Sequence, residues 1–455
     1  MIALRPYQEQ FVDDIRAASG AGSILNVLPT GGGKTVIFCH IAERAALRGK
    51  RSLIVVHRKE LIDQTSATLT AHGIRHGIMA AGYNPTPSEL VQVGMVQSLL
   101  RRDVPTDMVI IDECHHAAAQ SYQTIMERYP SALKLGFTAT PERLDGKGLG
   151  RYFSKLVEGP TVATLQQGGY LCRTKYFTPP QVVDLAGIKT QMGDYQISQL
   201  EAETNRSTVT GDAVSHYQKL ANGRSAVAFC VSVAHAQAVA DGFNQAGIAA
   251  GVINGQQSKE ERTDVVESLR SGRIQVLSSV MVISEGFDLP AVGAAILLRP
   301  TKSLSMHLQQ IGRVLRPSDG KPNAIILDHV GNLSRNGLAE DERLWRLDDR
   351  LIKPTVSTST CPQCFATYKP APVCPECGHC KPVAPIKPIE QVEGELVEFV
   401  KPALDDFAAQ KLIAHSKQTS NLKTLMWIAK QLNFKPGWAW HTAQKNKSRG
   451  VPAYG

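Results

Sequence analysis

The sequence has no run of about 18 apolar residues uninterrupted by charge, so no transmembrane helix is expected. Its first residues, MIALRPYQEQ, lack a basic stretch followed by an apolar one, and no signal peptide is expected there. Internal repeats are absent. Acidic residues are missing from Lys411 to Gly455, where eight lysines and arginines stand. That segment carries +8 of a formal net charge of +9, so the remainder is nearly balanced. Such a charge speaks to partners and not to fold. Cysteine is sparse outside one cluster: Cys39, Cys114, Cys172 and Cys230 are scattered in apolar segments and read as buried, reduced thiols.

What is present is the composition of a soluble globular protein, 43% hydrophobic and 20% charged. A chain of 455 residues is too long for one core. Over residues 1–350, short apolar runs end in polar or glycine-rich turns and are followed by helical patterns. The runs are Ser52–His57, Met108–Asp112, Ala132–Thr138, Ala226–Val231, Ile274–Val280, Ala294–Arg299 and Ala324–Asp328, with further ones before Pro29 and at Val91–Val96. Continuous apolarity predicts strands buried on both faces, and strands alternating with helices predict parallel, doubly wound sheets. The runs are too many for one small sheet, so two are expected. The junction is placed between Gly146 and Arg206, a stretch with several Gly and Pro that could instead hold an inserted element. Beyond Lys353 the composition turns to Pro, Thr, Ser and Cys. A helical pattern from Ala403 to Asn433 is then broken by FKPGWAW.

Leu28–Thr35 reads LPTGGGKT between an apolar run and a helix-like segment, the strand–loop–helix setting of a phosphate loop. Gly31, Gly32 and Gly33 let the backbone turn several N–H groups toward one anion. Lys34 would face the β and γ phosphates and Thr35 would coordinate Mg²⁺. Leu28 stands where the general pattern has its first glycine, and a glycine-rich turn without a ligand is the blander alternative. Ile111–His116 reads IDECHH at the end of a strong strand run. Asp112 is placed to hold the metal through water, and Glu113 to polarise the attacking water. Two adjacent carboxylates repel each other unless a cation lies near, the alternative being a solvated acidic turn.

These motifs, in the order LRPYQ, LPTGGGKT, VVHRKEL, VGMVQSL, IDECHH, GFTATP, SEGFDLP and QQIGRVLRP, resemble those of superfamily 2 helicases across residues 4 to 317. The RadD-like enzymes, similar to UvrB and the type I and III restriction translocases, form the subgroup it looks most like. The resemblance implies an α/β fold of two RecA-like domains, 1–165 and 166–350, and an ATP-hydrolysing DNA helicase or translocase. It implies that Arg5 and Gln8 read adenine, that Thr30 and the loop through Thr35 hold phosphates, and that Gly286 and Asp288 lie near the ribose. His115, Thr138 and Thr140 would couple hydrolysis to movement. Gln309, Arg313 and Arg316 match the family's last motif. His57, Arg58 and Gln97 lie in segments that resemble nucleic-acid contacts.

Independently of the resemblance, QQIGRVLR is expected to set Arg313 and Arg316 three apart on one helix, facing one way, where arginine can stabilise a transferring phosphoryl group. Cys361–Cys364 and Cys374–Cys377 form two CxxC knuckles, four thiolates suited to a structural Zn²⁺ in a ribbon at 355–382, with His379 and Cys380 as substitutes or bystanders. Trp427, Trp438 and Trp440 lie in the basic tail among Lys423, Lys430, Lys435, Lys445, Lys447 and Arg449. This domain, 403–455, with Lys435, Trp438 and Trp440 singled out, is expected to hold single-stranded or branched DNA, the alternative being a small helical cap. Three functions are carried forward: a DNA motor for repair, recombination or phage or bacterial replication, an RNA helicase, and a non-unwinding ATP-dependent switch. A cytoplasmic site in a bacterial or phage-infected cell, no membrane, and a single-strand-binding, replication or repair protein as partner complete the expectation.

Overall fold

The computed structural model describes residues 2–141, 148–178, 188–191, 194–196, 200, 207–280, 292–348, 358–380, 406–435 and 437–451. The chain divides into two compact units, Met1–Val383 and Ala384–Gly455.

The first unit holds two sheets. One comprises β1 (Ser23–Val27), β2 (Ser52–Val56), β3 (His76–Met79), β4 (Val91–Met95), β5 (Met108–Asp112), β6 (Leu133–Thr138) and β7 (Lys155–Glu158). Their order is β3-β4-β2-β5-β6-β1-β7, and every pairing is parallel. Alternate residues feed opposite faces: Leu53 and Val55 join one apolar cluster, Ile54 and Val56 the other, all with no solvent exposure. That double burial is why the sequence reads as unbroken apolar runs. Helices α1 (Pro6–Ala17), α2 (Lys34–Ala46), α3 (Lys59–Ala71), α4 (Val96–Leu99) and α5 (Gln120–Arg128) accompany this sheet. Pro6 occupies the first turn of α1, where its missing N–H costs nothing.

After α6 (Val162–Gln167) the second sheet begins with β8 (Thr174–Phe177). A two-stranded hairpin, β9 (Thr190–Gln191) and β10 (Asp194–Tyr195), stands apart from both sheets, within the stretch left open for an insertion. Next come α7 (Ser207–Leu220), β11 (Ala226–Phe229), α8 (Val233–Gln245), β12 (Ala250–Ile253), α9 (Lys259–Arg270), β13 (Val276–Ser279), β14 (Ala294–Leu297), α10 (Leu304–Gly312), β15 (Ala324–Asp328) and α11 (Asn332–Asn336). A Ser258–Glu261 capping box starts α9. Each expected apolar run forms a strand. The strands that the runs did not announce include β3, β7 and β12, short members at sheet edges with exposed or half-exposed positions. An edge strand needs no continuous apolar sequence.

The cysteine-rich segment joins the second sheet. Its strands β16 (Ser359–Thr360) and β17 (Ala366–Tyr368) pair antiparallel, and β17 continues on β8, giving the order β12-β13-β11-β14-β15-β8-β17-β16. The ion pair of Lys175 with Glu376 ties it further to β8, and the pair Lys369–Asp341 at 3.6 Å ties it to the segment after α11.

A strap runs back from the second sheet to the first. Leu338 and Ala339 belong to the core of the second lobe, while Trp345 and Leu347 pack against the core of the first. The Gly150 N–H donates to the Leu347 carbonyl at 2.7 Å. A Cβ at Gly148 would lie 2.3 Å from that same carbonyl oxygen, so only glycine admits the strap there.

The second unit contains α12 (Asp406–Ser416), α13 (Leu422–Gln431) and α14 (Gly437–Ser448). The helical pattern expected up to Asn433 forms two helices, separated at residues 417–421, where Asn421 caps α13 with its side chain. FKPGWAW does not end helical structure; Gly437 opens α14, which carries Trp438 and Trp440. Asn446 donates from Nδ2 to the carbonyls of Ser416 and Thr419, at 2.8 and 2.6 Å, holding α14 to the α12–α13 turn. Among the described residues no helix is long and apolar enough to cross a membrane.

Candidate nucleotide site and its relatives

The polar residues singled out in the first lobe gather beyond the carboxyl ends of β1, β2, β5 and β6, where a doubly wound sheet places its chemistry. β1 leads into the loop Leu28–Gly33, and the Leu28 N–H donates to the Thr138 carbonyl at 3.0 Å. Gly31 and Gly33 adopt φ of 86° and 85°, the left-handed region that side chains disfavour. A Cβ on Gly33 would also lie 2.4 Å from Gln8 Nε2. Gly33 caps α2, whose first residues are Lys34 and Thr35. The loop therefore presents a glycine turn and a helix N-terminus together, a cradle suited to phosphate.

Lys34 Nζ lies 3.9 Å from Glu113 Oε1. Asp112 ends β5, is 4% exposed and accepts from the Glu113 N–H at 3.0 Å. Burial, and next the neighbouring Glu113, raise the Asp112 carboxyl to about 7 against the pull of Lys34. Glu113 itself takes the left-handed conformation at φ 47°, uncommon for a residue with a Cβ. His115 Nδ1 is 3.4 Å from Glu113 Oε2 and 3.2 Å from Thr138 Oγ1. Thr138 donates from Oγ1 to the Thr140 carbonyl at 2.8 Å. A polar chain thus joins the carboxylates to the loop after β6. His57, just after β2, meets the His116 ring at a tilt with centroids 4.7 Å apart, which brings it beside the same carboxylates. Arg58 precedes α3, and Gln97 is exposed on α4.

Gln8 is buried; its amide donates to the Gly32 carbonyl at 3.3 Å and accepts the Arg5 N–H at 2.9 Å. Its neighbour Tyr7 escaped sequence reasoning. Tyr7 donates from its hydroxyl to the Gly32 carbonyl at 2.9 Å, and its ring meets Tyr170 with centroids 4.7 Å apart. Arg5 lies over the Tyr170 ring at 5.3 Å. No local pattern marks Tyr170, because the contact closes a separation of 163 positions.

The second lobe meets this site through the end of α10. A Cβ built on Gly312 would lie 2.4 Å from Thr30 Cβ, so the helix end rests on the phosphate loop. The void behind that contact is about 70 Å³, lined by Thr30, Ala139, Gly159, Leu308 and Trp345 among others. Ligand sites run to roughly 300 Å³ or more, so this void is packing and not a second site. Gln309 is buried within α10. The expectation that Arg313 and Arg316 share one helix face is corrected here. α10 ends at Gly312, Arg313 is its C-cap, and Arg316 lies beyond it. There the Arg316 carbonyl accepts from Lys321 Nζ at 2.8 Å. Gly286 and Asp288 lie outside the described residues.

The four cysteines converge. Their sulfurs all lie within 4.8 Å of one another, with Cys361–Cys377 and Cys364–Cys374 each at 3.7 Å. Four sulfurs placed tetrahedrally at a Zn–S distance of about 2.3 Å would be about 3.8 Å apart, so the donor set fits zinc. In the second unit Lys435 is exposed and Trp440 is 53% exposed, whereas Trp438 is half-buried against the helical core and meets Phe434 at a tilt, with ring centroids 4.7 Å apart.

Comparison with known proteins agrees with this geometry. Residues 1–143 match the family described as the type III restriction enzyme res subunit, and residues 211–318 match the helicase conserved C-terminal domain. A 51.5 kDa protein of a Lactococcus phage is 37% identical over 75% of this chain and 74% of its own length. The Saccharomyces cerevisiae protein named ATP-dependent helicase IRC3 is 30% identical over 72% of this chain. The match spans about half of that protein, 51%. The solved structure of the ATP-dependent type ISP restriction-modification enzyme LlaBIII bound to DNA shares the fold over 72% of this chain and 28% of its own, with a TM-score of 0.55 at 17% identity. With two mostly parallel sheets, a phosphate loop facing paired carboxylates and both family matches in place, the chain belongs to the superfamily 2 helicases and is an ATP-hydrolysing enzyme built on RecA-like lobes.

Proposed function

We propose that this chain converts ATP hydrolysis into movement along DNA, single-stranded or branched, in repair, recombination or phage or bacterial replication. The reading rests above all on one contact: the end of α10 seated on the phosphate loop at Thr30. A nucleotide held on that loop touches both lobes, so its hydrolysis alters how they meet. The motor spans residues 1–165 and 166–350 in this reading.

The Gly31–Gly33 backbone and Lys34 hold the β and γ phosphates. Thr35 and Asp112 hold Mg²⁺, which neutralises the phosphate charge when bound. The buried Asp112 carboxyl, raised to about 7, supports this assignment, since a nearby cation would relieve its ionisation. Glu113 orients and polarises the water, with His115, Thr138 and Thr140 linking that event to the loop after β6. Among the described residues Gln309 Nε2 is buried without a hydrogen-bond partner, a cost that a phosphate oxygen or a water would lift. Arg313, beside it at the helix end, and Arg316 supply charge to the transition state from the second lobe. Arg5 and Gln8 flank the base, and His57, Arg58 and Gln97 face the nucleic acid. The four cysteines hold a structural Zn²⁺. The second unit, with Lys435 and Trp440, adds nucleic-acid affinity. A bacterial or phage-infected cell is the proposed setting, in keeping with the phage relative.

The test is ATP hydrolysis measured with single-stranded DNA, forked DNA and RNA as activators. Stimulation by DNA above RNA is expected, and Lys34→Ala should lower turnover by about 10² or more. Stimulation by RNA alone, or none by either, would remove the DNA-motor reading.

A further inference from the structure

The helical second unit displays apolar surface that its small core does not use. On α13, Leu425, Ile428 and Ala429 are buried, whereas Leu422 is 41%, Met426 58% and Trp427 54% exposed. A tryptophan left that open on a short helix is unusual for surface that meets only water. Its neighbours are all of one kind. Lys423 stands one turn before Trp427 and Lys430 one turn after, at the i, i+4, i+7 spacing that places side chains in one row; both lysines are exposed. No acidic residue follows Asp406, so no carboxylate on α13 or α14 competes for these cations. Trp438, by contrast, is half-buried in the module's own core and is not presented to a partner.

We infer that the Lys423–Trp427–Lys430 row of α13 is a stacking site for single-stranded nucleic acid. It rests on the motor reading above and names the strand form and the residue that grips it. An unpaired base lays its ring face on the Trp427 indole beside Met426, while the flanking lysines take the phosphates on either side. Duplex DNA cannot satisfy this arrangement, because its base faces are already stacked. Charge complementarity selects a polyanion over a protein: an apolar partner would gain from Trp427 and Met426 but would bury two lysines without carboxylates to meet them.

The full chain carrying Lys34→Ala, without nucleotide, isolates this site from hydrolysis. Binding of a fluorescein-labelled oligothymidylate, and of a duplex of equal length, is followed by anisotropy over a series of NaCl concentrations. Trp427→Ala is expected to weaken oligothymidylate binding about tenfold and to change duplex binding little, with Trp427→Phe restoring most of the loss. Lys423→Gln with Lys430→Gln should flatten the slope of log affinity against log salt by about 1.4, two single-strand phosphates' worth. Unchanged oligothymidylate affinity in Trp427→Ala, or an equal loss for duplex, overturns the inference. So does unchanged binding accompanied by lost self-association in sedimentation, which would make the face a protein contact. Failure here with DNA-stimulated hydrolysis intact removes only this site. Failure of stimulated hydrolysis leaves the anisotropy result readable.

Discussion

Asp112 shows what a single position can demand of the chain around it. Its carboxyl is buried at a strand end next to Glu113, and burial first, then that neighbour, raise it to about 7. In an unfolded chain it would ionise near about 4. The folded state therefore keeps a proton that the unfolded state surrenders. The Asp112 contribution to the stability of the nucleotide-free protein falls as pH rises from about 4 to about 7 and changes little above. Asp112→Asn is accordingly expected to raise the thermal midpoint at pH 8 in the absence of Mg²⁺ and nucleotide, with the gain shrinking toward pH 4. Calorimetry across that range checks it; a gain that does not depend on pH would show that the cost is not ionic.

At the scale of elements, two contacts carry expectations. The end of α10 approaches the phosphate loop so closely that a Cβ on Gly312 would lie 2.4 Å from Thr30 Cβ. Gly312→Val should push the lobes apart at that point and lower DNA-stimulated hydrolysis by about 10², since displacements near 1 Å can cost that much. Circular dichroism should show the fold retained. The second contact is the cysteine ribbon. Because β17 pairs with β8, a metal held by the four cysteines would organise an edge of the main sheet as well as its own knuckles. Mass spectrometry of the purified chain is expected to find one zinc per molecule. Chelation or Cys374→Ser should lower the thermal midpoint by roughly several degrees by exposing that edge. A ribbon whose loss left the midpoint unchanged would be an independent appendage.

Across the first unit as a whole, the strap from Leu338 to Asp348 joins the two lobes a second time, apart from the linker around α6. Its root belongs to the second lobe, where Tyr176 and the Ala339 N–H meet at 3.1 Å, while Trp345 and Leu347 lie on the first. Two ion pairs also span the lobes: Lys259–Asp63 at 2.8 Å is exposed, so it contributes little and is screened by salt, whereas Arg262–Glu60 at 3.0 Å is partly buried. The strap adds an apolar tie to these polar ones. Trp345→Ala is expected to cost about 1–3 kcal/mol of stability and to make the junction between the lobes more open to limited proteolysis. Unaltered cleavage and stability would show the strap to be a passive connection.

What the sequence by itself determined is local. Runs such as MVIID and AIILD declare doubly buried strands because four successive residues are apolar before the aspartate that ends each strand. GGGKT and DECHH declare their chemistry because neighbouring residues at a strand end cannot avoid one another. The two CxxC knuckles and the acid-free tail are legible for the same reason. Tertiary structure alone decided that Gly312 rests on Thr30, that Tyr7 meets Tyr170, that Arg316 falls beyond the helix, that β17 joins β8 and that Trp438 turns inward while Trp427 stays open. Each of these depends on which faces of distant segments are brought together, or on where a helix stops under that packing. A repeat period states that a face is apolar without stating what will cover it.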